Sequence, residues 1–434
     1  MQLRLKKLSL FFLVLLCLSF WPQLNFAQQE DAEDQSLVKV EPPTRYYLKQ
    51  IALFPLDLPG YVLRGAVFPI EYGFRKMEEH RVFNRLADFM SNEDKTIWVY
   101  PIIEGGAGSS FGGGVGTKFT NLFNDGYQFS ATYRIHINLD QYASLMLGKE
   151  NAFSLWNRPF SFAVEANFKR QLGEDFYGIG NNSQRSNQTE FADNDIETLF
   201  KLGWEVLSNF HVEPRIGFCF GHTGPKKHGG HPSIQTVFPL ADLPGFNRWV
   251  DYLKTGLRIA HDTRDNKNRP RIGGERAVTY NYYQFLGDGK YSFNSYEFEV
   301  SQYIPLWRPG VVLALYNTWV FEQQIKGSRI PFYRLAALDA WHMLRGFDRG
   351  RFLDSSSVIF NVEYYFPISG VIEGMFFYDT GRVFDGITNF SFADFKYSAG
   401  AGLNFHLFNL DLVRLRVAYG GEGINVIIGV TKSL

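Results

Sequence analysis

The 434-residue sequence predicts an all-β fold: a transmembrane antiparallel β-barrel of about sixteen strands, with a short N-terminal periplasmic segment containing one helix. Three observations carry this expectation. The chain opens on an export signal, it is rich in aromatics yet holds no spanning helix, and its apolar residues alternate with polar ones over stretches of about ten residues.

The export signal comes first. Arg4, Lys6 and Lys7 precede an apolar run from Leu8 to Phe20, and a cleavage point follows Ala27, the layout of a secretory signal peptide over residues 1–27. Cys17 follows Leu16, where a lipoprotein signal needs a small residue, so lipid attachment is not expected. Cleavage removes three of 44 basic residues and none of 44 acidic ones, leaving a slightly acidic mature chain. No basic excess remains to attract nucleic acid. Only Cys219 survives cleavage, so the mature chain forms no intramolecular disulfide, and an exported protein must then be held together by other means.

Residues 28–95 read as the periplasmic N-terminal segment. The acidic stretch "QQEDAEDQ" is expected to be disordered. A Pro-punctuated segment follows, and then an amphipathic helix over about 74–90, where Met77, Val82, Phe83, Leu86, Phe89 and Met90 share one stripe. Such a helix suits a plug, a membrane-surface element or a support packed under the barrel mouth.

Residues 96–434 read as the barrel. The 42 Phe, 23 Tyr and 8 Trp give 17% aromatic content, yet mean hydropathy is −0.17 and no apolar run after the signal approaches the ~20 residues of a spanning helix. A barrel whose lipid face alternates with a polar lumen hides from averaged hydropathy in this way. In "YQFSATYRIHIN", Tyr127, Phe129, Ala131, Tyr133, Ile135 and Ile137 share one face, against Gln128, Ser130, Thr132, Arg134, His136 and Asn138. "FSFAVEANFK" and "VRLRVAY" repeat the pattern. Their inward Glu165, Lys169, Arg414 and Arg416 would be buried unpaired in a sandwich core, whereas a water-filled lumen hydrates them.

Strands are expected to start near residues 97, 111, 126, 140, 159, 190, 210, 251, 274, 291, 310, 356, 371, 397, 412 and 424. The long connections, roughly 171–189, 221–250, 326–355 and 381–396, all follow odd-numbered strands, while "NLFNDG", "PLWRPG" and "FPISG" after even strands stay short. Outer-membrane barrels have long loops outside and short turns in the periplasm, so this parity places the N-terminus in the periplasm.

One stretch stands apart from the alternation: "DAWHMLRGFDRGRFLDSS", residues 339–356, in the loop between the eleventh and twelfth strands. Its "LRGF" resembles the Arg-Gly-aromatic signature carried in the same loop by the BamA/TamA-type outer-membrane assembly factor superfamily. "FYDTG", with Phe377, Asp379 and Gly381, is similar to that family's Phe-x-Asp-x-Gly pattern on strand thirteen. Glu363 in "NVEYYF" stands on strand twelve, where the family carries an acidic partner, and Asn361, Glu363 and Tyr365 share one face there. "DTRDNKNRPRIGG" resembles the family's Asp-x-Arg-Asp turn through Asp262, Arg264, Asp265 and Pro270.

The resemblance implies a loop folded back into the lumen, with Arg345 meeting Asp379 and Glu363. A guanidinium fork can bind both carboxylates. Gly346 is expected to allow a tight turn at the loop tip. Phe347 and Trp341 are expected to pack on the loop's base. The alternative is an exposed basic loop touching lipopolysaccharide, which Arg349 and Arg351 are expected to reach in either case. The resemblance further implies a role in inserting or translocating proteins, or lipids, at the bacterial outer membrane by opening the seam between first and last strands. Pro101 and Gly429 would weaken that seam. Outer-membrane lipids, lipopolysaccharide, unfolded outer-membrane proteins and periplasmic factors are the partners it brings.

Two departures from the family stand in the sequence. The region between signal and barrel is too short and too helix-poor for one complete POTRA module, which reads as a barrel-only member. Leu434 ends the chain where outer-membrane proteins usually have Phe.

Other chemistry is not expected. His222, His228 and His231 lie in a Gly- and Lys-rich stretch without rigid support for a metal, so no metal, cofactor or catalytic residue is assigned. No Ser and His pair at compatible heights marks a hydrolase. "GGAGSSFGGG" and "YGIGNN" precede no helix and are not phosphate loops. A passive channel is the alternative role and a membrane-embedded enzyme the third; the chain is not expected to be an enzyme.

Overall fold

The computed structural model describes residues 88–430 apart from 107, 156, 339–343 and 408–409, together with Tyr72, Lys76 and Arg85. Tyr72, Lys76, Arg85 and Asp88–Met90 are helical, and Phe89 of the expected apolar stripe is exposed. The signal peptide, the acidic stretch, the remainder of the expected helix, Trp341 and Leu434 lie outside the described residues.

The strands are β1 Ile97–Gly106, β2 Ser109–Leu122, β3 Tyr127–His136, β4 Gln141–Leu155, β5 Arg158–Phe176 and β6 Thr189–Leu207. They continue as β7 Phe210–Pro225, β8 Trp249–Asp262, β9 Gly273–Phe285, β10 Phe293–Pro305 and β11 Val312–Gln324. After the short pair β12 Ala336–Ala337 and β13 Leu353–Asp354 come β14 Ser356–Pro367, β15 Ile372–Phe384, β16 Lys396–Leu407, β17 Leu410–Gly420 and β18 Gly423–Val430. All except β12 and β13 form one closed antiparallel barrel of 16 strands, in which each pairs with its neighbour in sequence and β1 meets β18. Closure removes every sheet edge, the condition for β-structure to stand in lipid.

Alternation along the strands sets the two faces. Tyr133, Ile135, Val278, Tyr378, Val417 and Tyr419 are exposed outward. Several inward charges pair across strands, while Arg416 donates to the Leu403 and Leu415 carbonyls and to Asn404 Oδ1. Lys201 meets Glu165 at 2.6 Å, Lys254 meets Glu197 at 2.7 Å, and Arg258 meets Glu275 at 2.8 Å and also binds Glu299. Pairing lowers the cost of holding charged groups on the inner wall away from bulk water.

The long connections 177–188, 226–248, 325–355 and 385–395 follow β5, β7, β11 and β15, so all emerge at one end. The expectation ended the fifth strand near 171, but β5 and β6 run 19 residues each, well beyond the ~9–11 that cross a bilayer. A register shift between Gln171 and Glu174 breaks the alternation there, which is why the strand's continuation does not show in the sequence pattern. The overhang is held by packing: Phe176 of β5 and Phe191 of β6 join Ile234, Leu243 and Phe332, from two of the long connections, in one apolar cluster. This cluster caps the long-loop end.

Candidate functional site

The connection between β11 and β14 enters the lumen and is anchored there by both apolar and charged contacts. Leu338, Leu344, Phe347 and Phe352 of the loop pack with Ile359 of β14 and Val383 of β15. The Phe347 and Phe352 rings meet edge to face at 5.3 Å. Gly381 makes room for this: a Cβ there would come within 3.1 Å of Leu338 Cδ2 and 2.8 Å of the Val358 carbonyl.

Arg345 lies beside this cluster against the wall. Its Nε donates to Asp379 Oδ2 at 2.9 Å, its Nη2 to Asp379 Oδ1 at 2.5 Å, and its own backbone N–H to Asp379 Oδ2 at 3.2 Å. Nη1 donates to Glu363 Oε1 at 2.5 Å. The guanidinium carbon sits 3.7 Å from the centroid of the Phe377 ring. Arg345 is 8% exposed and Asp379 0%. Burial pulls the Arg345 pKa down, but Glu363 and Asp379 outweigh it and hold the guanidinium above its ordinary value.

Strand register explains why the wall fits. Asp379 lies opposite Asn361 on β14 and Ser398 on β16. Asn361 Nδ2 donates to Asp379 at 2.8 Å and Ser398 Oγ at 3.0 Å, so the carboxylate accepts from both neighbouring strands as well as from the loop. Glu363 also accepts from the Tyr365 hydroxyl at 2.5 Å. Phe377 lies opposite Glu363 and Gly400, and a Cβ on Gly400 would meet the Phe377 ring at 2.4 Å. Gly400 thus lets that ring lie flat beneath Arg345.

Gly346 sits at a tight turn, in which the Phe347 N–H donates to the Leu344 carbonyl at 3.0 Å, but its φ is not in the left-handed region. A Cβ there would come 2.5 Å from the Gly420 nitrogen and 2.6 Å from Ser398 Cβ. Glycine is needed because backbone meets backbone: Gly346 rests on the Ser398–Gly420 pair of β16 and β17. Asn361, Ser398, Tyr365, Gly400 and Gly420 were not among the residues assigned from sequence. Asn361 and Tyr365 carried a signal, their shared parity with Glu363. Ser398, Gly400 and Gly420 stand next to the loop only once the barrel closes.

Arg351 corrects another expectation. It is 4% exposed and binds Glu422, so it is not free to reach lipopolysaccharide; Arg349 is exposed. The histidines expected in a solvated stretch do not converge, and His222 packs on Trp249 at 5.0 Å. Among the described residues no group of three or more His, Cys, Asp or Glu is placed to hold a metal.

The Asp-x-Arg-Asp turn, residues 263–272, lies at the opposite end. Arg264 forks onto Asp262 at 2.9 and 2.8 Å and reaches Glu275 at 3.1 Å; its hydrogen bond to Asp262 raises its pKa against the effect of burial. Asp265 accepts from the backbone N–H groups of Asn266, Arg271 and Ile272, which shapes the turn around Pro270. Arg271 and Arg269 then reach Glu373 of β15 at 2.5 and 3.3 Å, where His406 also approaches at 3.3 Å. Neutralising this carboxylate as Glu373→Gln is expected to free the turn, read as faster amide exchange over 263–272 with exchange in the 325–355 loop unchanged.

A closed antiparallel barrel with a loop bound inside by a buried Arg–Asp–Glu cluster is the class of protein that this fold and site define. The model of the Omp85 superfamily domain matches residues 107–422, most of the chain. The chain therefore belongs to the Omp85 superfamily, a family of outer-membrane insertion and translocation barrels.

Among solved structures it is similar to BamA from Haemophilus ducreyi lacking POTRA domains 1–3, at 14% identity and a TM-score of 0.56, covering 77% of this chain and 70% of that one. CdiB from Acinetobacter baumannii aligns at 11% identity and a TM-score of 0.49, over 77% of this chain and 59% of that chain. CdiB from Escherichia coli aligns at 10% and 0.48, over 76% and 62%. The chain thus spans about three-fifths of the CdiB chains it matches. No curated protein matches it.

Proposed function

We propose that this barrel assists the insertion or translocation of proteins, or of lipids, at the bacterial outer membrane by opening the seam between β1 and β18, with the loop–lumen cluster of Arg345, Gly346, Phe347, Glu363 and Asp379 locking the closed form. The N-terminus then faces the periplasm and the long loops face outward. Unfolded outer-membrane proteins and periplasmic factors are the partners on the inner side, outer-membrane lipids and lipopolysaccharide on the outer.

The observation that carries this reading is the seam. Among the described residues, β1 pairs with β18 only at Glu104↔Gly429 and Gly105↔Ile428, whereas β17 and β18 pair continuously from Val413↔Val430 to Gly420↔Gly423. Pro101 has no N–H for the ladder, and Gly429 adds no side-chain contact. Over the described stretch of the junction, few ladder bonds oppose the parting of the two strands.

Two measurements test the role. Depletion of the protein is expected to lower the amounts of other barrel proteins in the outer membrane; an unchanged outer-membrane proteome rejects the reading. In planar bilayers the purified barrel should pass small, irregular currents, because the 325–355 loop occupies the lumen. A large steady conductance would instead favour a passive channel.

A further inference from the structure

The loop that enters the lumen also reaches both sides of the seam. On the β1 side, Asp348 and Arg349 lie against Gly108 in the β1–β2 turn, where a Cβ would come 2.8 Å from Asp348 Cβ and 3.2 Å from the Arg349 nitrogen. On the β18 side, Asn425 Nδ2 donates to the Arg345 carbonyl at 3.5 Å, and Arg351 reaches Glu422 in the β17–β18 turn. Residues 345–351 therefore touch the turns or strands on both sides of the junction.

Arg351 is the firmest of these contacts. Its Nε donates to both Glu422 oxygens at 2.9 and 3.0 Å, and its Nη2 to Oε1 at 2.6 Å. Nη1 binds Ser183 Oγ at 2.7 Å and Nη2 the Ser183 carbonyl at 2.8 Å. The guanidinium lies over the rings of Tyr177 at 4.9 Å and Phe352 at 4.5 Å. Arg185 adds a bond to the Glu422 carbonyl at 2.6 Å and approaches Asp348 at 3.5 Å. At the seam itself, Gly106 at φ 103° brings β1 so close to β18 that a Cβ would overlap the Val426 carbonyl oxygen.

From this geometry we infer that Arg351 and Glu422 form a clasp that holds the seam closed at its long-loop end, so that one loop couples the lumen lock to the junction of first and last strands. This rests on the proposed opening of that seam. A forked, charge-assisted pair that is largely buried is stronger than the neutral ladder bonds beside it, so the clasp and not the ladder governs how often the strands part. Arg351 is a positioning residue: it acts on β18 through the turn that starts it.

The test reads opening of the seam as hydrogen exchange of the backbone amides at Glu104, Gly105, Ile428 and Gly429, which pair directly across it. Arg351→Ala is expected to speed that exchange about tenfold, the scale of one charge-assisted bond. Protease protection of 325–355 should be retained, because the Arg345 contacts are intact. Glu422→Gln, which keeps shape and removes charge, should speed it likewise and serves where Arg351→Ala does not assemble. Arg351→Glu with Glu422→Arg should restore most of the slow exchange.

Unchanged exchange at the seam in both single variants overturns the clasp. So does faster exchange accompanied by equal loss of loop protection, since the whole loop would then have left. Either failure leaves the role of the seam standing, which is tested separately by locking Gly105 to Ile428 with a disulfide.

Discussion

Arg345→Ala is expected to release the loop from the lumen. The substitution leaves Asp379 and Glu363 buried without their cation, which costs on the order of 3 to 5 kcal/mol, less where lumen water screens them. Protease cleavage within residues 326–355 on intact cells and conductance in bilayers should both rise. Asp379→Ala should do the same, although Asn361 and Ser398 then lose an acceptor too. The two together should be little worse than either alone, because both break one interaction. Exchanging the charges as Arg345→Asp with Asp379→Arg should recover part of the loss. If Arg345→Ala leaves both readouts unchanged while the barrel still folds, the lock does not exist.

Gly346→Ala is expected to displace the loop as strongly with every charge intact. The added Cβ would stand 2.5 Å from the Gly420 nitrogen, and backbone on both sides leaves no flexible side chain to move aside. Overpacking by one methyl costs about 1 to 3 kcal/mol in ordinary cores, and more where backbone is the obstacle. Gly420→Ala approaches from the wall, its Cβ 2.5 Å from the Gly346 carbonyl oxygen, and should match it. Gly421→Ala, with open space around it, should leave cleavage unchanged. Protection retained in Gly346→Ala would mean that shape does not hold the loop.

Much of the barrel could be read from the sequence because each spanning strand must alternate and each turn must interrupt it. The starts of β1, β7 and β14 fall where the alternation begins. Legibility ended where that rule lapses. The bulge after Gln171 hid the continuation of β5, and the loop pair β12–β13 is too short to carry any period. For the site, Arg345, Asp379 and Glu363 stood out as charges in a motif on inward positions. Ser398, Gly400 and Gly420 did not, because small residues in strands look alike until closure brings them beneath the loop. Glu422 lies far along the chain from Arg351, and nothing local to either residue announces the pair.

The most direct test of the seam as the working part is to lock it. In the Gly105→Cys, Ile428→Cys barrel, the Phe111 ring turns aside for the new side chain and oxidation joins β1 to β18. The amounts of other barrel proteins in the outer membrane are then measured with the disulfide formed and after reductant is added. They should fall in the locked form and recover on reduction, with either single cysteine indistinguishable from wild type. Levels that stay unchanged with the seam fully cross-linked would contradict a role that works by opening β1 from β18.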